Sequence, residues 1–93
     1  MSEQDSRTVE RVQTGIRIEK RLLKVLKGIA EYLDISLGDL VEGIVLHSFE
    51  GKSPFNAEAQ DGIRKLKEIY GLTLTAEDSH RLMERDGQED GNG

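Results

Sequence analysis

The stretch "VQTGIRIEKRLL", residues 12–23, changes its hydrophobic period part-way along. Thr14, Ile16 and Ile18 alternate with small or polar residues, which is the period of a β-strand. In the second half of the stretch and beyond it, the apolar residues recur at spacings of three and four, which is the period of a helix. The sequence therefore predicts one short strand, residues 12–18, that runs directly into a helix.

Three helices are predicted after the strand, over about residues 20–33, 37–50 and 56–70. The apolar residues of each helix fall on one stripe, as is typical of helices that pack on a core. Ser36 is expected to cap the second helix, because a serine oxygen can accept a free N–H of the first turn. Gly71 is expected to end the third helix in a left-handed conformation.

A fourth, short helix is predicted in "LTLTAEDSHRLMER", residues 72–85. Thr75 would be its N-cap, and Leu82 or Met83 its apolar contact. A strand in "LTLT" is the alternative interpretation of the first four residues, and a loop is favoured there.

The composition predicts one small domain. The chain has 93 residues, of which 35% are apolar and four are aromatic, so the core of an isolated monomer is marginal. There is no cysteine, which excludes disulfides and thiolate metal sites. No apolar run is long enough for a membrane span, and the polar, acidic N-terminus does not resemble a signal peptide. These features predict a cytoplasmic protein without membrane contact.

The charge is unevenly distributed along the chain. The net charge is −5, yet residues 7–27 carry a net +5 and residues 28–93 carry a net −8. The basic segment coincides with the predicted strand and with the start of the first helix. A basic segment on an acidic body favours a nucleic-acid partner for that segment.

A lone strand leaves its backbone N–H and C=O groups unpaired. Its simplest partner is the same strand of a second copy, so the sequence predicts a homodimer with an intermolecular two-stranded antiparallel ribbon. In such a ribbon Gln13, Gly15 and Arg17 would point outward. A two-stranded ribbon fits the major groove of double-stranded DNA, where arginine can bind guanine and glutamine can bind adenine.

Residues 12–50 resemble the ribbon-helix-helix repressors, through "TGIRIEKRLL", "LKGIAEYLDIS" and "SLGDLVEGIV". The resemblance implies a mostly α fold with one short β-strand, and a homodimeric, sequence-specific DNA-binding protein that regulates transcription. It assigns base contacts to Gln13, Gly15 and Arg17. It assigns a phosphate contact to the backbone at the start of the second helix, and a helix N-terminus favours an anion on physical grounds as well. Together with the basic residues near the ribbon, the predicted phosphate contacts are Arg11, Lys20, Arg21, Ser36, Leu37 and Gly38.

Four segments follow from this interpretation. Residues 1–8 are predicted to be a disordered arm, residues 9–52 the ribbon-helix-helix domain, residues 53–85 a C-terminal helical extension, and residues 86–93 a disordered acidic tail. The extension has no counterpart in the minimal ribbon-helix-helix module, and it could bind a protein partner.

No enzymatic motif is found in the chain. His47 and His80 have no cysteine or spaced histidine near them in sequence, so no metal site and no cofactor are predicted. Nucleophilic triads and glycine-rich phosphate loops are also missing from the sequence. An alternative function keeps the dimer without strong DNA binding, as a protein-interaction scaffold or an antitoxin-like module.

Overall fold

The computed structural model describes residues 7–84. Helix α1 spans Lys20–Leu33, α2 spans Leu37–Phe49 and α3 spans Ala57–Tyr70. The first three predicted helices therefore form, and their ends differ from the predicted ends by one residue at most. Within these residues, no helix is long and apolar enough to cross a membrane.

The predicted strand does not form. Residues 12–18 form no regular secondary structure, and all of them except the half-buried Ile18 are exposed. Their backbone groups make no hydrogen bonds to any other part of residues 7–84. An alternating sequence becomes a strand only when a second strand supplies the hydrogen-bond ladder. The described chain contains three helices and no strand or sheet. The predicted ribbon-helix-helix fold, with its short strand and two-stranded ribbon, is therefore wrong.

The helix ends follow the capping chemistry of the sequence. The Ser36 hydroxyl accepts the Asp39 N–H at 3.1 Å and so caps α2, as predicted. Asn56 Oδ1 accepts the Ala59 N–H at 2.8 Å at the start of α3. Gly71 ends α3 with a φ of +69°, which a residue without a Cβ adopts at little cost.

The core lies around α1, which contacts both other helices. Within residues 7–84 it is small, and its fully buried members are Val25, Ile29, Ala30, Leu40 and Leu72. Half-buried residues from α2, α3 and the segments around α3 complete it. The C-terminal extension thus shares one core with the two preceding helices.

Helices α1 and α3 approach closely at Gly28. A Cβ placed on Gly28 would lie 2.9 Å from Cδ2 of Leu66, which is closer than van der Waals contact allows. Glycine in a helix costs about 1 kcal/mol relative to alanine. Glycine occurs here despite this cost because the Leu66 side chain of α3 occupies the space that a Cβ would fill.

The predicted fourth helix is reduced to one 3₁₀ turn, Ala76–Asp78. Leu82 and Met83 lie beyond it and are exposed, so they are not its apolar contact. A short segment with no side chain to bury gains little from continuing as a helix. Most of the predicted arm 1–8, and the whole of the predicted tail 86–93, lie outside the described residues.

Candidate nucleic-acid interface

The three predicted base contacts lie ahead of α1, in residues 7–19, which form neither helix nor strand. Gln13, Gly15 and Arg17 are all exposed, and the space around Gly15 is open. The guanidinium of Arg17 forms an ion pair with Glu84, near the C-terminal end of the described chain. No strand fixes the direction of these residues, so the regular outward alternation that the ribbon required is missing.

Arg11 lies beside the first turns of α2. Its Nε donates to Glu42 Oε2 at 2.8 Å and its Nη2 donates to Glu42 Oε1 at 2.9 Å, which is a bidentate pair. A carboxylate oxygen of a second residue, Asp39 Oδ1, lies 3.7 Å from Nη2. The hydrogen bond to Glu42 raises the pKa of Arg11, and the same bond lowers the pKa of Glu42. Arg11 is therefore already engaged with carboxylates in the free chain.

The start of α2 brings together the other predicted phosphate contacts. Ser36 is occupied by its capping hydrogen bond, and Leu37 is half-buried against the core. Gly38 is exposed. A Cβ placed on Gly38 would have the Ser36 hydroxyl oxygen as its nearest neighbour, at 3.9 Å. The free N–H groups of a first helical turn favour an anion. At the start of α2, however, the carboxylate of Asp39 and the Arg11–Glu42 pair already lie near these groups.

Arg21 and Lys20 lie at the start of α1. Arg21 Nη1 donates to the carbonyl of Gly71 at 3.2 Å, at the C-terminal end of α3, where a cation is favoured by the helix dipole. Lys20 is exposed. The structure thus separates the predicted phosphate contacts into two groups, one at the start of α1 and one at the start of α2.

A lysine stripe, which we define as Lys20, Lys24 and Lys27, follows the outer face of α1. The spacings of four and three place these side chains on one side of the helix. All three are exposed, and none forms an ion pair with a carboxylate of residues 7–84. Lys24 Nζ lies 5.6 Å from the centre of the Tyr70 ring, which holds it by a cation–π contact.

The sequence prediction included Lys20 but omitted Lys24 and Lys27, which read as ordinary solvated residues. Their shared helical spacing was the signal that could have identified them. The structure adds that no acidic side chain of residues 7–84 forms an ion pair with them, which the spacing alone does not show. Glu31 follows Lys27 by four residues and marks the end of the basic face.

Two of the three cations of α3, Arg64 and Lys65, are paired with carboxylates. Arg64 pairs with Asp61 and Glu68, and Lys65 pairs with Asp61 at 3.4 Å. Hydrogen bonds from Arg64 and Lys65 lower the pKa of Asp61. Because these cations have partners on their own helix, α3 presents a neutralised surface where α1 presents a positive one.

An open groove of about 510 Å³ lies between α2 and the segment that leads into α3. Leu40, Ile44 and Phe55 give it an apolar wall, and at its edge the Tyr32 hydroxyl donates to Glu58 Oε2 at 3.2 Å. That hydrogen bond raises the pKa of Tyr32. No group of three or more His, Asp or Glu residues within 7–84 is arranged to hold a metal ion.

Comparisons with family models, with curated proteins and with solved structures find no match to this chain. The lysine stripe and Arg7 are exposed and form no ion pair within residues 7–84, so they remain available to a polyanion. Their geometry suits electrostatic contact with a phosphate backbone.

Proposed function

We propose that the protein binds double-stranded DNA as a homodimer and acts in the cytoplasm as a transcriptional regulator. The observation that carries the proposal is the lysine stripe, Lys20, Lys24 and Lys27, which is exposed and without acidic partners within residues 7–84. Cations that are not already neutralised release counterions when they meet phosphates, and this release drives binding.

The length of the stripe suits a duplex backbone. Seven residues separate Lys20 from Lys27, which is about 10 Å at the helical rise of about 1.5 Å per residue. One strand of a duplex carries a phosphate about every 3.4 Å along its axis, so the stripe can follow about three phosphates. Arg7, which is exposed ahead of α1, can add a further contact.

Base reading is assigned in this proposal to the side chains of Gln13 and Arg17. Their residue types can bind adenine and guanine edges, respectively. Arg17 has to leave Glu84 first, and an exposed ion pair of this kind contributes about 1 kcal/mol or less. Replacing the contact with Glu84 by a contact with a base therefore costs little free energy. Gly15 has no side chain to offer a base.

The proposal is tested by fluorescence anisotropy of a labelled random-sequence duplex at several salt concentrations. We expect dissociation constants in the micromolar range at low salt. The logarithm of the binding constant should fall with the logarithm of the salt concentration, with a slope of about −2.7 for the three phosphate contacts of one lysine stripe, at about −0.9 for each contact. A chain that is folded by circular dichroism and shows no binding at the lowest salt would contradict the proposal.

A second candidate function is a protein-interaction scaffold or antitoxin-like module without strong DNA binding. The observation that favours it is the engagement of Arg11 and Arg17 by carboxylates of the same chain. The binding experiment separates the two functions, because a scaffold predicts no salt-sensitive binding to the duplex. A protein partner on residues 53–85 belongs to this second candidate.

A further inference from the structure

One aromatic side chain of α3 lies against the basic face of α1. The centre of the Tyr70 ring is 5.6 Å from Lys24 Nζ, within the range of about 6 Å over which a ring attracts a cation. The Tyr70 side chain is 38% exposed, so it is neither a core residue nor fully solvated. Its hydroxyl forms no hydrogen bond within residues 7–84. The contact with Lys24 therefore depends on the ring and not on the hydroxyl.

The packing of α1 on α3 explains why these two side chains meet. Gly28 of α1 lies against Leu66 of α3. One helical turn before the glycine is Lys24, and one turn after the leucine is Tyr70. In an antiparallel pair of helices these two positions face each other, in agreement with the 5.6 Å contact. The contact is thus part of the regular packing of two helices and not a chance encounter of two surface side chains.

The turn that ends α3 holds the start of α1 as well. Arg21 Nη1 donates to the carbonyl oxygen of Gly71 at 3.2 Å, and Arg21 precedes Lys24 by one helical turn. The carbonyl groups at a helix C-terminus carry partial negative charge, which the guanidinium offsets close to the lysine stripe. The end of α3, Tyr70 and Gly71, therefore contacts two successive turns of the helix that carries the stripe.

An aromatic ring can restrain a lysine without cancelling its charge. The ring attracts the ammonium through its quadrupole and carries no net charge. A carboxylate in the place of Tyr70 would also restrain the lysine but would neutralise it, as Asp61 does for Arg64. The ammonium of Lys24 has three N–H donors and forms no ion pair within residues 7–84. Its charge and its donors therefore stay available to a phosphate.

We propose that Tyr70 is a positioning residue of the nucleic-acid interface, which holds the Lys24 ammonium in place to meet a DNA phosphate. A side chain that is restrained before binding loses less conformational entropy when it contacts its partner. Helix α3, which belongs to the C-terminal extension, is then part of the DNA-binding site as well as of the core. The inference rests on the proposed function, because Lys24 meets a phosphate only where a duplex binds.

Anisotropy of the labelled duplex, at one low salt concentration, tests the role of the ring in the full chain. Tyr70→Leu removes the ring and keeps an apolar side chain, whereas Tyr70→Phe keeps the ring. An exposed cation–π contact changes an equilibrium constant about 2- to 5-fold. We expect Tyr70→Leu to weaken binding by this factor for each bound stripe, and Tyr70→Phe to bind as the wild type does.

The matched control is Tyr32→Leu, which removes the other tyrosine of the chain. The Tyr32 hydroxyl donates to Glu58, and this side chain contacts no lysine of the stripe through its ring. The control variant should therefore bind the duplex as the wild type does. Circular dichroism verifies that each variant keeps its helical content.

A double-mutant cycle separates positioning from a general effect of Tyr70 on the fold. Because Tyr70 acts through Lys24, Tyr70→Leu should weaken binding no further in a chain that already carries Lys24→Ala. An equal loss of affinity with and without Lys24→Ala would overturn the inference and leave duplex binding in place. An equal loss in Tyr70→Leu and Tyr70→Phe would also overturn it, since the hydroxyl and not the ring would then be responsible.

Nuclear magnetic resonance of the free chain tests the contact without DNA. Protons that lie over the face of an aromatic ring resonate upfield of their usual position. We expect an upfield shift of the Lys24 methylene protons next to the ammonium in the wild type and in Tyr70→Phe, and its loss in Tyr70→Leu. An unshifted wild-type signal would overturn the inference alone. A wild type that does not bind the duplex would overturn both the inference and the proposed function.

Discussion

Helices α1 and α2 are nearly equal in length and pack on the same core, but their outer faces differ. The outer face of α1 carries the lysine stripe, whereas α2 carries apolar side chains that are only partly covered, namely Val41, Val45, Leu46 and Phe49. Unpaired cations on a rigid helix favour a polyanion, while exposed aliphatic and aromatic side chains favour a protein surface. In our proposal, DNA therefore contacts the outer face of α1 and not that of α2.

The inner faces differ as well, and this difference concerns stability. Helix α1 contributes three fully buried residues, because it is covered by α2 on one side and by α3 on another. Helix α2 contributes one. Among the described residues, α1 is thus the more deeply buried of the two helices.

The largest expected effect is on the inner face of α1. Ile29 is fully buried, so Ile29→Ala should lower the free energy of unfolding by about 2–5 kcal/mol through lost burial and the cavity left behind. Ile69 on α3 is 71% exposed, and Ile69→Ala should stay within about 0.5 kcal/mol of wild type. Urea unfolding followed by circular dichroism measures both. Equal losses in the two variants would show that the core does not lie around α1.

A smaller effect is expected at the glycines within the two helices. Gly28→Val should destabilise the protein by about 1–3 kcal/mol, because the new side chain meets Leu66. Gly43 of α2 has no atom near its missing Cβ, so Gly43→Ala should raise stability by up to about 1 kcal/mol. Thermal unfolding of both variants measures the two shifts. A stabilising Gly28→Val would contradict the close approach of α1 and α3.

The smallest expected effect is a pH dependence at the start of α2. The hydrogen bond from Arg11 lowers the pKa of Glu42 in the folded chain, so the pair is fully formed above the unfolded pKa of Glu42. Its contribution is lost as the pH falls through the lower, folded pKa. Nuclear magnetic resonance titration of the Glu42 side chain should show a depressed midpoint that rises in Arg11→Gln. An unchanged midpoint in that variant would show that the pair is not formed in solution.

The sequence predicts the three helices and their ends because these depend on local features. Ser36 caps α2, Gly71 ends α3, and the apolar spacing in each helix marks its inner face. The strand over 12–18 and the fourth helix fail for the opposite reason, since both needed distant partners that the described chain does not provide. Alternation at Thr14, Ile16 and Ile18 is a local signal, but strand pairing is not a local property.

The candidate site is predicted from the sequence only in part. The basic character of residues 7–27 is visible in the sequence, but which cations stay available depends on the fold. Arg11 is paired with Glu42, 31 positions away, and Arg17 with Glu84, 67 positions away. Pairs so distant in sequence follow from tertiary contacts alone. Lys20, Lys24 and Lys27, by contrast, form no ion pair within residues 7–84.

The salt dependence of duplex binding by a triple lysine variant tests the central claim most directly. The claim is that the lysine stripe of α1 contacts the phosphate backbone. Lys20→Ala, Lys24→Ala and Lys27→Ala together remove this stripe. The matched control removes three cations that already have ion-pair partners, by Lys52→Ala, Arg64→Ala and Lys65→Ala, and so changes the net charge equally.

Both variants are compared with wild type on the same labelled duplex over a range of salt concentrations. We expect the stripe variant to lose about 2.7 units of the salt slope, about 0.9 for each phosphate contact, and to bind weakly at all salts. The control variant should keep a slope close to that of wild type. Equal slopes in the stripe variant and in wild type, with wild type bound, would contradict the assignment of DNA to the outer face of α1.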